Sequence, residues 1–289
     1  MRAPPDIFLG LSYDGPMQQR PIPSTGEMLP IVGVGTYRGF DVGGDAGTRA
    51  RLTEVLKLVV ATKGGVVDSS PMYGRAEDVS GALLQEANLR NRAFIATKVW
   101  TSGQARGIAQ MEKSFKLFRT DRIDLMQVHN LLDTRAHLDT LAGWKKEGRV
   151  RYVGVTHYHS GAYNELEAAL NNEKVDFVQL NYSLDDRMAE QRLLPLAEHK
   201  GIAVIVNLPF GGGSLLSEVS KQPLPPFAKE IGASTWSQVL LKFVLGHPGV
   251  TVAIPGTGNP THMAENLAAA DGDLARGREA ILKWAKGRL

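Results

Sequence analysis

The chain has 289 residues, of which 43% are hydrophobic and 22% are charged, a composition typical of a globular protein. It contains no cysteine, which excludes disulfides, thiolate nucleophiles and cysteine-ligated metal sites. The formal net charge is only +3 and the basic residues are scattered, so we expect no nucleic-acid partner. No apolar run approaches the ~20 residues that span a bilayer, so we expect no membrane partner either.

The first 30 residues precede the regular pattern of the chain. The longest apolar stretch before residue 20 covers only residues 7–11, which is too short for a convincing signal peptide. We therefore expect residues 1–20 to form a loose tail on a cytoplasmic protein; a periplasmic location stays open if a leader has been removed. Residues 20–30 contain three prolines and one glycine, which predict a short hairpin before the first main strand.

Short apolar runs then alternate with amphipathic segments of helical length. Eight runs are rich in Val, Ile or Phe and lack polar alternation, as is typical of parallel strands that are covered on both faces. These predicted strands cover residues 31–35, 66–69, 94–99, 124–129, 152–156, 177–180, 203–206 and 251–254. The predicted helices between them include residues 105–118, 138–146, 162–170, 190–199 and 238–245.

Eight strands, each followed by a helix, match the number in a closed (β/α)₈ barrel. An open, doubly wound sheet would usually have fewer strands and a glycine-rich first turn. Because no linker or change of composition interrupts the chain, we predict a single domain over residues 1–289. Its expected class is α/β, a (β/α)₈ TIM barrel with a short amino-terminal hairpin and a carboxyl-terminal helical extension.

Ionisable side chains stand at the ends of three consecutive predicted strands, namely Asp68, Lys98 and His129. In a barrel, such positions face the active site. Tyr73 follows in a loop with Ser, Pro and Gly, which could fold its phenol back over the barrel mouth. A neighbouring Lys98 ammonium would lower the pKa of Tyr73, and Asp68 would hold that ammonium in place. His129 could donate a hydrogen bond to a carbonyl oxygen as it gains negative charge.

These four residues predict a site that delivers a proton to a developing alkoxide. Since no side chain can supply a hydride, reduction would require a nicotinamide cofactor. Asp68 and Lys98 could instead form only a structural ion pair, and a buried lysine at a strand end also suits a Schiff-base aldolase. The spacing of His157 and His159 could suggest a metal site, but no third ligand stands nearby, so we expect no metal.

A series of motifs between about residues 30 and 270 resembles the aldo-keto reductase family. The motifs occur in the family's order and cover residues 33–37, 68–74, 95–100, 121–129, 148–156, 179–183 and 254–260. The resemblance implies a (β/α)₈ barrel, an extended NAD(P)H and reversible reduction of aldehydes or ketones to alcohols. By position it implies that Tyr73 is the general acid, Lys98 tunes its pKa, Asp68 pairs with Lys98, and His129 orients the carbonyl.

The resemblance also indicates residues that bind the cofactor and the substrate. Thr156 and Gln179 match residues that hold the nicotinamide carboxamide. The full set of predicted cofactor contacts is Thr36, Thr156, His157, Gln179, Asn207, Gly211, Pro255, Gly256, Thr257, Asn259, His262 and Asn266. The predicted substrate pocket contains Tyr37, Trp100 and Asn130.

Two of these cofactor contacts have a physical basis that is independent of the family. Asn259 is a good N-cap and Pro260 a good first residue, so a helix is predicted over residues 260–269, with free N–H groups that would face a phosphate. Gly211 begins a run of three glycines that could let backbone amides approach a pyrophosphate.

The sequence departs from the family pattern at positions that bear on cofactor choice. Gly256 and His262 stand where many members have a lysine and an arginine for the 2′-phosphate of NADP. His157 stands where an asparagine often binds the carboxamide, and Asn207 where an aromatic ring often stacks on the nicotinamide. NADP(H) remains favoured, with NAD(H) or dual use left open.

A different class of function is a redox-sensing or regulatory binding subunit with little turnover. Residues 181–184 and Arg187 resemble the corresponding stretch of potassium-channel β subunits, which belong to the same family. The intact set of four active-site residues favours an enzyme that acts on a small-molecule carbonyl. The sequence does not identify the natural substrate, and it leaves the oligomeric state open, with a monomer expected.

Overall fold

A two-stranded hairpin opens the described part of the chain in the computed structural model, which covers residue 15 and residues 17–287. Strand β1 (Gln19–Pro21) pairs antiparallel with β2 (Met28–Pro30), so the predicted hairpin is confirmed. Ile22 and Leu29 are fully buried in the apolar cluster inside the barrel, together with residues from the starts of the main strands. The hairpin therefore plugs the amino-terminal end of the barrel.

Eight parallel strands form the barrel, and each is hydrogen-bonded to its neighbours in chain order. They are β3 (Val34–Gly35), β4 (Gly65–Asp68), β5 (Ala93–Val99), β6 (Ile123–His129), β7 (Val150–Thr156), β8 (Phe177–Asn181), β9 (Ala203–Asn207) and β10 (Val252–Ala253). Isolated parallel bridges join Val32 to Ala253 and Gly35 to Gly256, which closes the sheet between its first and last strands. Every predicted strand overlaps one of these eight, and the predicted (β/α)₈ barrel is confirmed.

Eleven α-helices of the described residues surround the barrel or extend from it. They are α1 (Ala46–Val59), α2 (Ala76–Glu86), α3 (Gln104–Leu117), α4 (Thr134–Lys146), α5 (Tyr163–Asn172), α6 (Leu193–Lys200), α7 (Ser214–Val219), α8 (Phe227–Glu230), α9 (Trp236–Leu245), α10 (Pro260–Ala268) and α11 (Leu274–Ala285). Side chains cap four of them as hydrogen-bond acceptors: Asp45, Thr235, Asn259 and Asp273. The predicted helix over residues 260–269 is confirmed as α10.

Two predicted helices begin more than two residues away from the start that the structure shows. The helix predicted over residues 190–199 is interrupted, because Arg192 leaves helical geometry with φ −136° and separates a short 3₁₀ turn (Met188–Gln191) from α6. Helix α4 begins at Thr134 and not at residue 138, since its first turn is mostly polar and adds little to the apolar periodicity.

Both ends of the described chain are fastened to the same side of the barrel. The Gln18 side chain donates to Ala270 O at 2.7 Å, and Arg20 donates to backbone carbonyls that follow α9. Residues 18–20 therefore do not belong to a loose tail, and most of the predicted tail lies outside the described residues. Helix α11 packs against α9, where Arg278 donates to Tyr182 Oη at 2.7 Å and to Phe243 O at 2.9 Å. The carboxyl-terminal extension thus covers the flank of the barrel.

Candidate active site

The four residues predicted to handle protons lie together at the carboxyl-terminal end of the barrel. Asp68 ends β4, Lys98 is the penultimate residue of β5, and His129 ends β6. Lys98 Nζ donates to Asp68 Oδ2 at 2.6 Å and lies 5.1 Å from the centre of the Tyr73 ring. The Tyr73 and His129 rings meet edge to face, with their centres 6.2 Å apart. Parallel strands in register bring these side chains to one edge, as the barrel geometry requires.

A tight turn after β4 folds Tyr73 back over the strand ends. Tyr73 N donates to Ser70 O at 3.0 Å, and Ala76 N donates to Tyr73 O at 3.1 Å. Gly74 adopts φ +59°, and a Cβ at this position would lie 2.4 Å from the carboxylate of Asp41. The turn that positions the phenol therefore depends on a glycine immediately after Tyr73.

Burial and charge act against each other on Lys98 and Tyr73. Burial disfavours the Lys98 ammonium, but the Asp68 carboxylate and the Tyr73 phenol outweigh burial and raise the pKa of Lys98. Burial also raises the pKa of Tyr73, and the nearby ammonium reduces this rise without cancelling it. Lys98 therefore lowers the pKa of Tyr73 as expected, but it does not bring that pKa below its ordinary value, because desolvation of the phenolate is the larger effect.

His129 is held in its neutral form. Burial, followed by the charge of Lys98 and the proximity of His157, lowers the pKa of His129 from 6.5 to about 3. Its Nδ1 lies 3.1 Å from Ser70 Oγ. If the hydroxyl donates to Nδ1, the proton of the neutral ring resides on Nε2, which we assign from this hydrogen bond.

A layer of polar side chains lies directly beneath these residues inside the barrel. The second oxygen of Asp68, Oδ1, accepts from Gln179 Nε2 at 2.9 Å and from Gln127 Nε2 at 3.3 Å. Gln179 Oε1 in turn accepts from Thr156 Oγ1 at 3.0 Å. The predicted carboxamide ligands Thr156 and Gln179 are thus bonded to each other, and Gln179 is also bonded to Asp68. Sequence reasoning missed the link through Gln127, although a glutamine inside an apolar strand was a signal for it.

The predicted substrate residues border the four proton-handling side chains. The Tyr37 ring lies 5.0 Å from the Tyr73 ring, and the Trp100 ring lies 6.4 Å from the His129 ring. Tyr37 is 52% exposed and Trp100 is 40% exposed, so both present aromatic surface to solvent at the barrel mouth. Asn130 follows His129 with φ +52°, and its buried Oδ1 has no hydrogen-bond partner among the described residues.

The Trp100 wall of this mouth is fixed by its neighbours. Gln110 of α3 accepts from Trp100 N at 2.6 Å and donates to Trp100 O at 3.2 Å. Asp133 accepts from Gly103 N at 2.6 Å, which ties the loop after β5 to the loop after β6. The pocket wall is therefore held by side chains that do not themselves face the reacting centre.

The residues predicted to hold a dinucleotide lie mainly where β3 meets β10. Pro255 O accepts from Gly35 N at 3.2 Å, and Gly256 forms the closing bridge beside it. Asn259 Oδ1 caps α10 by accepting from Thr261 N at 2.9 Å. The side chain of Thr257 accepts from Asn259 N at 3.1 Å, which shapes the same turn.

The other residues predicted to contact the cofactor differ in burial and in their hydrogen-bond partners. Thr36 is buried and donates to Asp68 O at 3.0 Å, His262 is exposed on α10, and Asn266 is buried on the same helix. Asn207 Nδ2 donates to His157 O at 3.1 Å, which joins the ends of β7 and β9.

These residues fit a nicotinamide dinucleotide. At the start of α10, Pro260 has no N–H and the N–H groups of Thr261 and Met263 bond to Asn259, so the His262 N–H and the positive end of the helix dipole remain to face a phosphate. A Cβ at Gly212 or Gly213 would meet no atom within 4 Å, which leaves room for a ligand beside that backbone. Asn207 Oδ1 is buried without a partner among the described residues, as expected of a group that awaits a donor. One feature opposes the fit, since the Asp185 carboxylate packs against Gly211, where a Cβ would lie 2.8 Å from Oδ2.

A large cavity lies away from this chemistry. It has a volume of about 1240 Å³ and opens at the amino-terminal end of the barrel, beside the hairpin. Two of the arginines that line it already have protein partners: Arg92 donates to Val60 O at 2.8 Å, and Arg151 donates to Asp124 Oδ1 at 2.9 Å. Size alone therefore does not identify the functional site.

The described residues contain neither a metal-binding cluster nor a membrane-spanning helix. No three histidine, aspartate or glutamate side chains in the described ranges lie close enough to hold a metal ion together. Within the same ranges, no helix is both long and apolar enough to cross a membrane.

The chain is similar to known proteins both in sequence and in structure. Residues 32–276 match the model of the aldo/keto reductase family. The chain is 25% identical to the glyoxal reductase of Bacillus subtilis over 259 residues, covering 87% of each protein. It is 28% identical to an uncharacterised oxidoreductase of Schizosaccharomyces pombe over 265 residues, covering 89% of this chain and 76% of that protein.

A solved structure shows the same architecture. An aldo/keto reductase from Klebsiella pneumoniae, crystallised in complex with NADP and acetate, superposes with a TM-score of 0.73 at 25% identity. The alignment covers 89% of this chain and 93% of that chain.

Proposed function

Because the chain belongs to the aldo-keto reductase family, we propose that this oxidoreductase reduces an aldehyde or ketone with NADP(H) and takes the proton from Tyr73. The observation that carries the proposal is the cluster of Tyr73, Lys98, Asp68 and His129, in which the Lys98–Asp68 pair is fully enclosed. The structure of the Klebsiella pneumoniae relative with bound NADP supports the choice of cofactor.

The chain's own residues bind, orient and protonate the substrate. A nicotinamide, when bound, supplies the hydride. Neutral His129 donates a hydrogen bond from Nε2 to the carbonyl oxygen, which polarises the carbonyl and fixes its direction. Tyr73 Oη delivers its proton to the same oxygen as negative charge develops there. Lys98 stabilises the phenolate that remains, and Asp68 keeps the ammonium at its place.

The mouth of the barrel favours substrates with an apolar body. Besides Tyr37 and Trp100, the large hydrophobic side chains Met72 and Leu208 are 39% and 38% exposed, and both follow strands of the barrel. Such exposed apolar surface at a mouth is typical of a ligand site. We therefore propose an aromatic or otherwise apolar aldehyde, represented by 4-nitrobenzaldehyde, as a better substrate than a small polar dicarbonyl such as glyoxal.

The first test is turnover. NADPH or NADH is mixed with the protein and either aldehyde, and oxidation of the cofactor is followed by absorbance. We expect reduction, with NADPH preferred and 4-nitrobenzaldehyde reduced more efficiently than glyoxal. Binding of NADPH without turnover would favour the regulatory subunit, and aldehyde conversion without any nicotinamide would contradict the mechanism.

The second test is Tyr73→Phe, which removes only the acidic hydroxyl. We expect kcat to fall by roughly 10²–10⁴-fold, the usual contribution of a general acid. The Kd for NADPH, measured by fluorescence titration, should stay unchanged because the ring remains. Tyr158→Phe is the matched control, since Tyr158 is an exposed tyrosine that follows β7 at the same mouth. Retained activity in Tyr73→Phe would show that another group supplies the proton.

A further inference from the structure

On the basis of the function proposed above, we propose that Gln127 is a positioning residue of the reductase site. Its side-chain amide holds the Asp68 carboxylate in the orientation that presents Oδ2 to Lys98. Gln127 does not face the substrate, and it acts on Tyr73 only through Asp68 and Lys98.

The geometry divides the Asp68 carboxylate between two sets of partners. Oδ2 accepts from Lys98 Nζ at 2.6 Å, whereas Oδ1 accepts from Gln179 at 2.9 Å and from Gln127 at 3.3 Å. The two amides come from β8 and β6. Because they approach the same oxygen from two strands, rotation of the carboxylate away from Lys98 would break both hydrogen bonds.

Gln127 also lies between Lys98 and His129 in the barrel sheet. It pairs with Lys98 across β5 and β6 and lies two residues before His129 on the same strand. Successive side chains of a strand alternate between its two faces, so Gln127 and His129 share the interior face. Gln127 is fully buried on that face. A shift in its position would therefore reach both ends of the proton-handling cluster.

Packing alone does not account for a glutamine at this position. Gln127 Oε1 is buried and has no hydrogen-bond partner among the described residues. An unpartnered buried amide oxygen destabilises a fold, and an apolar side chain of similar size would avoid that loss. Leu125, which precedes Gln127 on the same face, is an apolar residue of this kind. The amide thus contributes to the site at some expense of stability.

The hydrogen bond has a consequence for the general acid. The negative charge of Asp68 acts to raise the pKa of Tyr73. Donors to Oδ1 draw part of that charge away from the Lys98 side of the carboxylate. Removal of the Gln127 amide should therefore raise the pKa of Tyr73 further and leave Asp68 freer to turn from Lys98.

Gln127→Leu tests the inference, and Gln238→Leu is the matched control. Gln238 is also a buried glutamine, but it lies on α9 and bonds to Ser234 and to Glu265 O. For Gln127→Leu we expect a Tm close to that of the wild type, because removal of the unpartnered oxygen offsets the loss of the hydrogen bond to Asp68. We expect kcat for 4-nitrobenzaldehyde to fall by about tenfold, as for loss of a hydrogen bond to a charged group, with the Kd for NADPH unchanged.

The pH profile separates a positioning role from a structural one. In Gln127→Leu, the alkaline limb of kcat/KM for reduction should move to higher pH by about half a unit. Gln238→Leu should lower Tm without moving that limb. A Gln127→Leu protein that loses Tm and keeps the wild-type kcat and pH profile would overturn the inference.

A measurement without cofactor or turnover keeps this inference separable from the proposed function. In protein labelled with ¹³C at the aspartate carboxyl carbon, the Asp68 resonance is assigned by its loss in Asp68→Asn. We expect this resonance to shift in Gln127→Leu and to stay in place in Gln238→Leu. An unmoved resonance would contradict the role of Gln127 even if the wild type is an active reductase. A shifted resonance in a protein without turnover would reject only the proposed reaction.

Discussion

His129 carries no charge at neutral pH, although it lies among polar groups. It is enclosed by the strand ends and by the rings of Tyr73 and Trp100, and the Lys98 ammonium lies within the same cluster. An imidazolium there would lose hydration and would face a second positive charge. A neutral imidazole can donate one hydrogen bond to a carbonyl oxygen and does not compete with Tyr73, the proposed proton source.

This burial makes the stability of the protein sensitive to acid. The pKa of His129 is about 3 in the folded chain, against an ordinary 6.5 when unfolded. Below pH 6.5 the unfolded chain binds a proton that the folded chain does not, so the contribution of His129 is complete above 6.5 and lost as the pH falls. Between pH 7 and pH 4 the loss should be about 2–3 kcal/mol from this group.

Urea unfolding at both pH values measures this loss. His129→Gln should lose less stability than the wild type between pH 7 and pH 4, because its side chain does not titrate. His262→Gln replaces an exposed histidine and should behave like the wild type. Equal acid sensitivity in His129→Gln and the wild type would show that His129 is not the group responsible.

For the single residues of the site, the sequence predicted which side chains lie close together. It did not predict how strongly burial and charge act on their pKa values. Strand ends and the turn with Ser, Pro and Gly were sufficient to bring Asp68, Tyr73, Lys98 and His129 together. The direction of the Lys98 effect on the Tyr73 pKa was predicted, but the larger, opposing effect of burial was not, because the depth of burial depends on distant loops. The bond between Gln127 and Asp68 depends on the stagger between strands, which the order of residues does not reveal.

Among the elements, α10 connects stability with the proposed cofactor site. Its cap Asn259 and its first residue Pro260 start the helix beside the seam of the barrel. Gly39 approaches this turn closely, since a Cβ there would lie 3.3 Å from Gly258 N. A phosphate bound at this helix would therefore meet a helix end that the cap and the adjacent loop hold in place.

Asn259→Ala should affect both the stability of the protein and its binding of NADPH. Loss of the cap should destabilise the protein by about 1 kcal/mol, and fraying of the first turn should weaken NADPH binding by about threefold. Asp273→Ala is the matched control, because Asp273 caps α11 by accepting from Arg276 N at 3.0 Å. Asp273→Ala should lower the free energy of unfolding in urea by a similar amount and leave the Kd for NADPH unchanged. Equal weakening of NADPH binding by both variants would argue against a phosphate at α10.

Sequence patterns located helices better where a cap marks the start. Asn259 and Pro260 identified the beginning of α10 to the residue. No cap residue indicated the end of helical geometry at Arg192, where the apolar periodicity continues while the backbone leaves the helix. Helix α4 has Asp133 before it in a left-handed conformation, φ +49°, which propensity alone does not indicate.

Over the whole molecule, the last helix ties distant parts of the chain together. Arg278 of α11 joins Tyr182 after β8, Glu190 before α6 and the backbone of α9. Its ion pair with Glu190 is largely enclosed, with side-chain exposures of 12% and 18%. Removal of one partner from such a pair leaves the other charge without compensation.

Arg278→Ala should therefore lower the free energy of unfolding by about 2–3 kcal/mol. Lys283→Ala, on an exposed position of the same helix, should change it by less than about 0.5 kcal/mol. Denaturant unfolding of both variants measures the difference. A loss of less than about 1 kcal/mol in Arg278→Ala would show that α11 is not held by this cluster.

The closure of the barrel has a consequence for its synthesis. The ring is completed only by β10 and by the bridges from Val32 and Gly35 to residues 253 and 256. Asp68, Tyr73, Lys98 and His129 leave the ribosome more than a hundred residues earlier. Until β10 emerges, β3 and β9 are open edges that can pair with other nascent chains. The residues proposed for acid–base chemistry are thus made before the sheet is complete, and translation of residues 252–268 both closes the ring and adds the helix proposed to hold the phosphate.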